Sequence, residues 1–293
     1  ARHRNVVVVA DGELQRLPFG VLRMGNAQTM LGSDHDLVYL PSVSTLRLIR
    51  DVQRPTSATG ALAIFADPVF RADDPRLPAM RNRQGSAKDL AAASGDIGLA
   101  NLPPLPYSLR EAEAIRARAG KARVWLASGF AANRAAVLHA DWSRYAIVHF
   151  ASHSLLDMQR PELSGIVLSL YQSDGRAVDG FLRVSDLYDL DMPVNLVVLG
   201  SCDSAVGPNP GSEGVFSLAR ALFYAGARRT LASLWPVDDR ASAQFMSLFY
   251  TALLTDHEAA PAALRQARMT MAADPQYRQP YYWAGYVLQG DWQ

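Results

Sequence analysis

A doubly wound α/β fold, a mainly parallel sheet with helices on both faces, is the architecture this sequence predicts, and three features of its patterning carry the prediction. Short continuous apolar runs recur from Ala61 onward, as strands covered on both faces read. Segments with apolar residues at helical spacing alternate with those runs, the order that strand–helix–strand crossovers produce. With 49% hydrophobic and 19% charged residues over 293 positions, the chain can bury the core of one large domain or two packed units.

The elements follow in order. Residues 6–10 and 14–17 flank Asp11-Gly12, a dipeptide with easy access to positive φ, and predict an opening β-hairpin. Residues 37–40 predict a third short strand, and Pro41 and Ser42 start a helix to residue 52, with Val43, Leu46 and Ile49 or Arg50 on successive turns. The polar run 54–60 (RPTSATG) marks a boundary, giving a small hairpin/helix subdomain over 1–57 and the main domain over 58–293. In the main domain the predicted strands are 61–66, 123–127, 145–150, 166–170, 194–199, 229–235 and 286–288. Ser108 with Glu111 reads as a capping box that starts a helix. Val215, Leu218, Ala219, Leu222 and Phe223 define a second helix, stopped by Gly226. Ala241, Phe245, Leu248, Phe249 and Ala252 define a third after the cap candidates Asp238 and Asp239, and Ala260, Leu264, Ala267 and Met271 a fourth. The stretch 71–106 breaks the rhythm with five prolines and three glycines. It reads as a long flexible insertion, either a plain surface connection or a regulatory or cleavable loop, with a short helix possible over 87–93.

Composition narrows the functional classes. Twenty-nine basic against 28 acidic residues, net +1, leave no electrostatic footprint for nucleic acid or an anionic membrane. No apolar run reaches the length that spans a bilayer, and the first twenty residues lack a signal-peptide pattern, so the expected location is cytoplasmic. The chain begins with Ala1, read as a removed initiator or a piece of a longer polypeptide. A single cysteine, Cys202, excludes an intramolecular disulfide or a multi-cysteine metal site.

Ligand and catalytic groups in parallel sheets collect beyond the carboxyl ends of strands, and two such ends carry reactive side chains. The strand 145–150 runs into Ala151-Ser152-His153-Ser154, and the strand 194–199 into Gly200-Ser201-Cys202-Asp203-Ser204. If the two strands are neighbours, His153 and Cys202 share one crevice, where an imidazole lowers the thiol pKa and later protonates a leaving amine. Backbone N–H groups at Cys202 and near Ser154 are the candidate oxyanion donors. On residues alone, Cys202 is either a nucleophile or a buried strand-end thiol.

The segments YAIVHFASHS, SGIVLSL, DGFLRVSDL, LVVLGSCDSA, EGVFSLARALFYAGARRTLASLWPVDD and YYWAGYVLQG, with DGELQRLPFGVL and LVYLPSVSTLRL upstream, resemble the CHAT family of caspase-like clan CD cysteine peptidases, often fused to tetratricopeptide repeats. The resemblance runs in order along nearly the whole chain. It implies a caspase-like sheet and an endopeptidase whose family histidine falls on His153 and whose cysteine falls on Cys202. It implies no metal or organic cofactor, and a place in bacterial regulated proteolysis, including defence systems in which such proteases cleave a gasdermin or a CRISPR-associated partner. Two departures stand out: Ser154 follows the histidine where the family usually has glycine, and Ser201 and Asp203-Ser204 replace the usual neighbours of the cysteine. Asp203 is a candidate pocket residue for a basic substrate side chain. A catalytically silent module that binds peptides in the same groove is the competing reading.

The remaining candidates are bland. His149, inside an apolar strand, reads as a hydrogen-bonded core histidine; His3, His35, His139 and His257 lack ligand spacings. Asp238 and Asp239 are either helix caps or holders of the active-site loops. Residues 207–214 (GPNPGSEG) lack the Lys-Ser/Thr ending of a phosphate loop, and no G-x-S-x-G is present.

Overall fold

The computed structural model describes residues 4–25, 29–51, 61–78, 99, 102–157, 163–206 and 213–292, with 157, 201–206 and 213–215 described by their backbone. The strands in chain order are β1 (Asn5–Val8), β2 (Arg23–Met24), β3 (Thr29–Met30), β4 (Asp36–Tyr39), β5 (Leu62–Ala66), β6 (Val124–Ser128), β7 (Ile147–Asp157), β8 (Gly165–Val167), β9 (Phe181–Arg183), β10 (Leu196–Val206), β11 (Arg229–Ser233) and β12 (Tyr286–Gly290). Ten of them form one sheet in the order β1-β4-β12-β11-β10-β7-β5-β6, with β8 added to β7 and β9 to β8. The long pairs β10/β7, β5/β7, β5/β6 and β1/β4 are parallel, β12 runs antiparallel to β11 and parallel to β4, and the β8–β9 ribbon pairs antiparallel.

Alternate residues of the central strands face two separate cores, as the doubly wound prediction requires. Ile64, Ile147, Val198 and Leu231 meet Ala112 and Ile115 of the helix Ser108–Arg118, Phe245 and Phe249 of Asp239–Tyr250, and Leu264 and Ala267 of Ala260–Ala273. Phe65, Val148, Phe150 and Val197 meet Leu187 of Val184–Tyr188, Leu218 and Leu222 of Glu213–Tyr224, and Trp142 on the other side. Gly226, with φ of 109°, takes the left-handed conformation that stops the helix before it. Among the described residues no helix is long and apolar enough to cross a membrane.

Several expectations fail locally for physical reasons. The opening hairpin does not form: β1 pairs in parallel with β4, and Gly12–Arg16 is a 3-10 helix. The Asp11-Gly12 chemistry is present, with the Asp11 carboxylate accepting the Gly12 N–H and Gly12 at φ 54°, but it opens a helical turn. Leu14 and Leu17 are exposed, so a second strand there would have no core to cover. Val43 points outward from the helix Val43–Asp51, and only Ile49 of that helix is buried. Ser108 and Glu111 do not form a capping box. Ser108 is already helical, its Oγ donates to Leu105 O, and Glu111 is buried beneath the sheet. The expected boundary at 54–60 and the helix at 87–93 lie outside the described residues, while β1 and β4 belong to the same sheet as the strands that follow.

Candidate active site

β7 and β10, the strands that carry His153 and Cys202, are immediate parallel neighbours. Their register advances evenly from Leu196↔Ile147 to Leu199↔Phe150 and then shifts, so that Ser201 pairs with His153 and Cys202 with Ser154. Ala151 and Ser152 together oppose Gly200 alone, the count of a β-bulge. Position 200 leaves little room for a side chain: an added Cβ would lie 3.2 Å from the Phe150 carbonyl oxygen and 3.3 Å from Glu111 Oε1, so these neighbours would have to give by a few tenths of an ångström. Ser242 Oγ fastens the same residue by donating to Gly200 O at 2.9 Å. The outcome is that His153 and Cys202 sit on adjacent strands, one rung apart.

Neither residue lies in a loop past a strand end, as the sequence suggested. β5 stops pairing at Ala66↔Ala151, and β8 takes over that side of β7 through Ser154↔Ile166 and Leu155↔Gly165. With partners on both edges, β7 continues to Asp157. Ser154, the expected oxyanion donor, is a buried strand residue between Cys202 and Ile166, and Asp203 pairs with Leu155.

His153 is 1% exposed, and its Nε2 lies 2.8 Å from the carbonyl oxygen of Pro103. A carbonyl only accepts, so Nε2 carries the proton and Nδ1 is the basic nitrogen of the neutral ring. The Phe70 ring packs on the imidazole at 5.0 Å between centroids. A histidine held in this way can exchange a proton through one nitrogen in one orientation.

Pro103 belongs to the end of the stretch 71–106, and the described parts of that stretch are well anchored. Leu99 and Leu102 are buried with Val69, Phe70 and Leu155. Proline at 103, 104 and 106 fixes φ at three of four consecutive positions, which pre-sets where the Pro103 carbonyl points. Sequence reasoning missed this group, and no side-chain pattern could have revealed a backbone acceptor.

The two aspartates divide their work. Asp238 Oδ1 caps its helix by accepting from Ala241 N at 2.9 Å, whereas Asp239 Oδ2 accepts from Tyr107 N at 2.8 Å. Asp239 thereby ties the segment that carries Pro103 to the helix Asp239–Tyr250. Burial pushes its pKa up to about 6; the Glu111 and Asp238 charges add to the rise, against the Tyr107 N–H and His153.

His149 is fully buried, with Nε2 2.7 Å from Glu111 Oε1 and Nδ1 3.1 Å from the Tyr250 hydroxyl. Burial and the Glu111 charge raise the Tyr250 pKa, so the phenol keeps its proton beside Nδ1. Both ring nitrogens are thus engaged inside the core, which makes His149 a hydrogen-bonded core histidine, as its place in an apolar run suggested.

A cavity of 360 Å³ adjoins the site at the carboxyl end of β5, lined by Phe70, Asp67, Asp74, Arg76, Pro104 and Leu105 among others. Arg76 bridges two of its carboxylates, at 2.6 Å to Asp67 and 2.7 Å to Asp74.

A family model described as "CHAT domain" matches residues 1–291. Tetratricopeptide repeat protein 28 of Homo sapiens is 28% identical over 316 residues, covering 99% of this chain but 12% of that protein, and its Mus musculus counterpart matches to the same extent. The chain thus spans about an eighth of the curated relatives it matches. Among solved structures, the Arg-specific cysteine proteinase gingipain R superposes with a TM-score of 0.53 at 11% identity, over 92% of this chain and 56% of that one. The complex of Porphyromonas gingivalis RgpB pro- and mature domains gives 0.50 at 10% identity, over 87% and 55%. The fold is therefore a mostly parallel, caspase-like sheet of the kind found in these two structures.

Proposed function

The chain belongs to the CHAT domain family, and from that membership and the geometry above we propose that it is a cysteine endopeptidase that cleaves specific intracellular protein partners through a His153–Cys202 dyad. The observation that carries the reading is the imidazole of His153, oriented by Pro103 O so that Nδ1 is basic, on the strand beside the one thiol of the chain and one rung away from it. In the proposed reaction the Cys202 thiol passes its proton to His153 and attacks the scissile carbonyl. Backbone N–H groups at Cys202 and Ser154 hold the oxyanion. His153 then protonates the leaving amine, and a water that it deprotonates releases the acyl-enzyme.

Activation by attached repeat modules or a bound partner is part of this proposal, because the relatives named above are tetratricopeptide repeat proteins of which this chain spans a small part. A gasdermin or a CRISPR-associated protein is a candidate substrate through the family resemblance alone. The test is a thiol-directed peptide probe on purified protein. Labelling at Cys202, with loss of cleavage in Cys202→Ala and an unchanged melting temperature, is the expected result. Absence of labelling even with the activating partner bound would establish a peptide-binding module without catalysis.

A further inference from the structure

At the amino ends of β7, β10 and β11, the opposite pole of the sheet from the dyad, lies a second cavity of 420 Å³, a size suited to small-molecule ligands. Its apolar wall includes Ile147, Leu253, Leu254, Pro261 and Trp292, and two consecutive arginines, Arg228 and Arg229, line it as well. Arg229 Nε donates to the Asp291 carbonyl oxygen at 2.5 Å, and the Asp291 carboxylate is the acidic group that the two arginines share. Burial, reinforced by the adjacent Arg228 charge, lowers the pKa of Arg229. The buried Nε of Arg228 has no hydrogen-bond acceptor among the described residues. Its Nη2 stands 3.9 Å from Asp291, a buried carboxylate that Arg50 engages more closely at 3.2 Å. Glu258 also lines the cavity, but it is exposed and makes no ion pair with either arginine.

The backbone around the cavity is unusual too. Leu253 and Leu254 come from a π-helical turn, Thr251–Thr255, and His257 just beyond it has a φ of 57°. Such irregularities concentrate where a fold serves a ligand.

We propose that this cavity binds a small ligand that joins one anionic group, a carboxylate or a phosphate, to an apolar body, with Arg228 as the anion contact. A guanidinium presents a planar fork of donors matched to either oxyanion, and here one such fork has a buried N–H without an acceptor beside an apolar wall. An anion seated there would relieve the repulsion between Arg228 and Arg229, while its tail would cover the leucines of the π turn. The site is independent of the peptidase reading, since it shares no residue with the dyad.

The experiment measures thermal shift and calorimetric binding on the whole 293-residue chain with n-octanoate, n-octyl phosphate, n-octanol and inorganic phosphate. Saturable binding of octanoate or octyl phosphate, with octanol and inorganic phosphate at least about tenfold weaker, is expected; the tighter anion identifies the headgroup. Arg228→Gln should weaken that binding about tenfold or more. Ala259→Trp, on an exposed lining residue, should abolish it and serves as the test if Arg228→Gln does not fold. The proposal is overturned by equal binding of octanol, by anion binding that both variants leave unchanged, or by no saturable anion binding into the millimolar range.

Discussion

His153 and His149 lie four residues apart on one strand and differ in what surrounds them. His153 meets a backbone carbonyl and a phenyl ring, whereas His149 is locked between a carboxylate and a phenol. Substituting His153 with alanine should therefore reduce turnover by about 10²–10⁴-fold or more, with a smaller loss of stability than His149→Ala. His149→Ala should leave Glu111 and Tyr250 buried without their partner and cost about 3–5 kcal/mol of stability. Paired thermal melts and single-turnover rates decide the matter; the opposite pattern would reassign the base. Residue identity made half of this legible, because a histidine inside an apolar run reads as core. Glu111 was misread since its spacing from Ser108 fits a capping box equally well, and sequence does not show that the carboxylate turns inward to a histidine 38 positions away.

The elements most altered from expectation are β7 and β10, whose apolar runs end at Phe150 and Leu199 although the strands continue. In β7 the apolar run is broken by the buried polar residues Ser152, His153 and Ser154 but pairing continues, because the β8–β9 ribbon supplies a new edge after β5 ends. A ribbon of two three-residue strands leaves a faint periodicity, so the extension could not be read. The bulge between them rests on Gly200, and Gly200→Ala should press a methyl group against the Phe150 carbonyl and the Glu111 carboxylate. A stability loss of about 1–3 kcal/mol, with a larger proportional loss in labelling of Cys202, is expected. Normal labelling kinetics would show that the register shift is not what sets the dyad.

The tie between Asp239 and Tyr107 belongs to the same scale and carries a pH signature. The Asp239 carboxyl titrates at about 6 in the folded chain and near 3.9 when unfolded, so the native state binds the extra proton between those values. The resulting stabilisation is complete below about pH 4 and lost as pH rises through about 6. Allowing for solvent screening of a half-buried group, it amounts to about 1–2 kcal/mol. Asp239→Asn keeps an oxygen for the Tyr107 N–H and should raise stability at neutral pH while flattening the slope between pH 4 and 6. Melting curves of both proteins across that interval test this, and parallel slopes would assign the pH dependence to another group.

For the whole molecule, the alternation of apolar runs and amphipathic helices made the two-faced parallel sheet legible. How its edge grows was not, because parallel addition of β1 to β4 depends on a crossover with no pattern of its own. The assembled sheet also bears on activity. The ladder between β7 and β10 runs through the dyad to Val206↔Asp157, Ser154 is covered on both edges, and His153 is 1% exposed. In the reaction proposed above, a substrate carbonyl would have to reach the imidazole and backbone N–H groups that this arrangement keeps covered, so competence would require the upper ladder to open. If one molecule in a hundred were open, an activator would need about 2.7 kcal/mol of differential binding to bring the two populations to parity, which a modest interface supplies. The isolated 293-residue chain should thus cleave slowly, and a longer polypeptide carrying its repeat modules, with their partner bound, should cleave the same protein substrate on the order of tenfold or more faster. Hydrogen exchange at residues 153–157 should accelerate in parallel, because opening exposes those amides. Equal turnover and equal exchange in the two preparations would mean that the paired ladder is itself the active conformation and that the domain works without an activator.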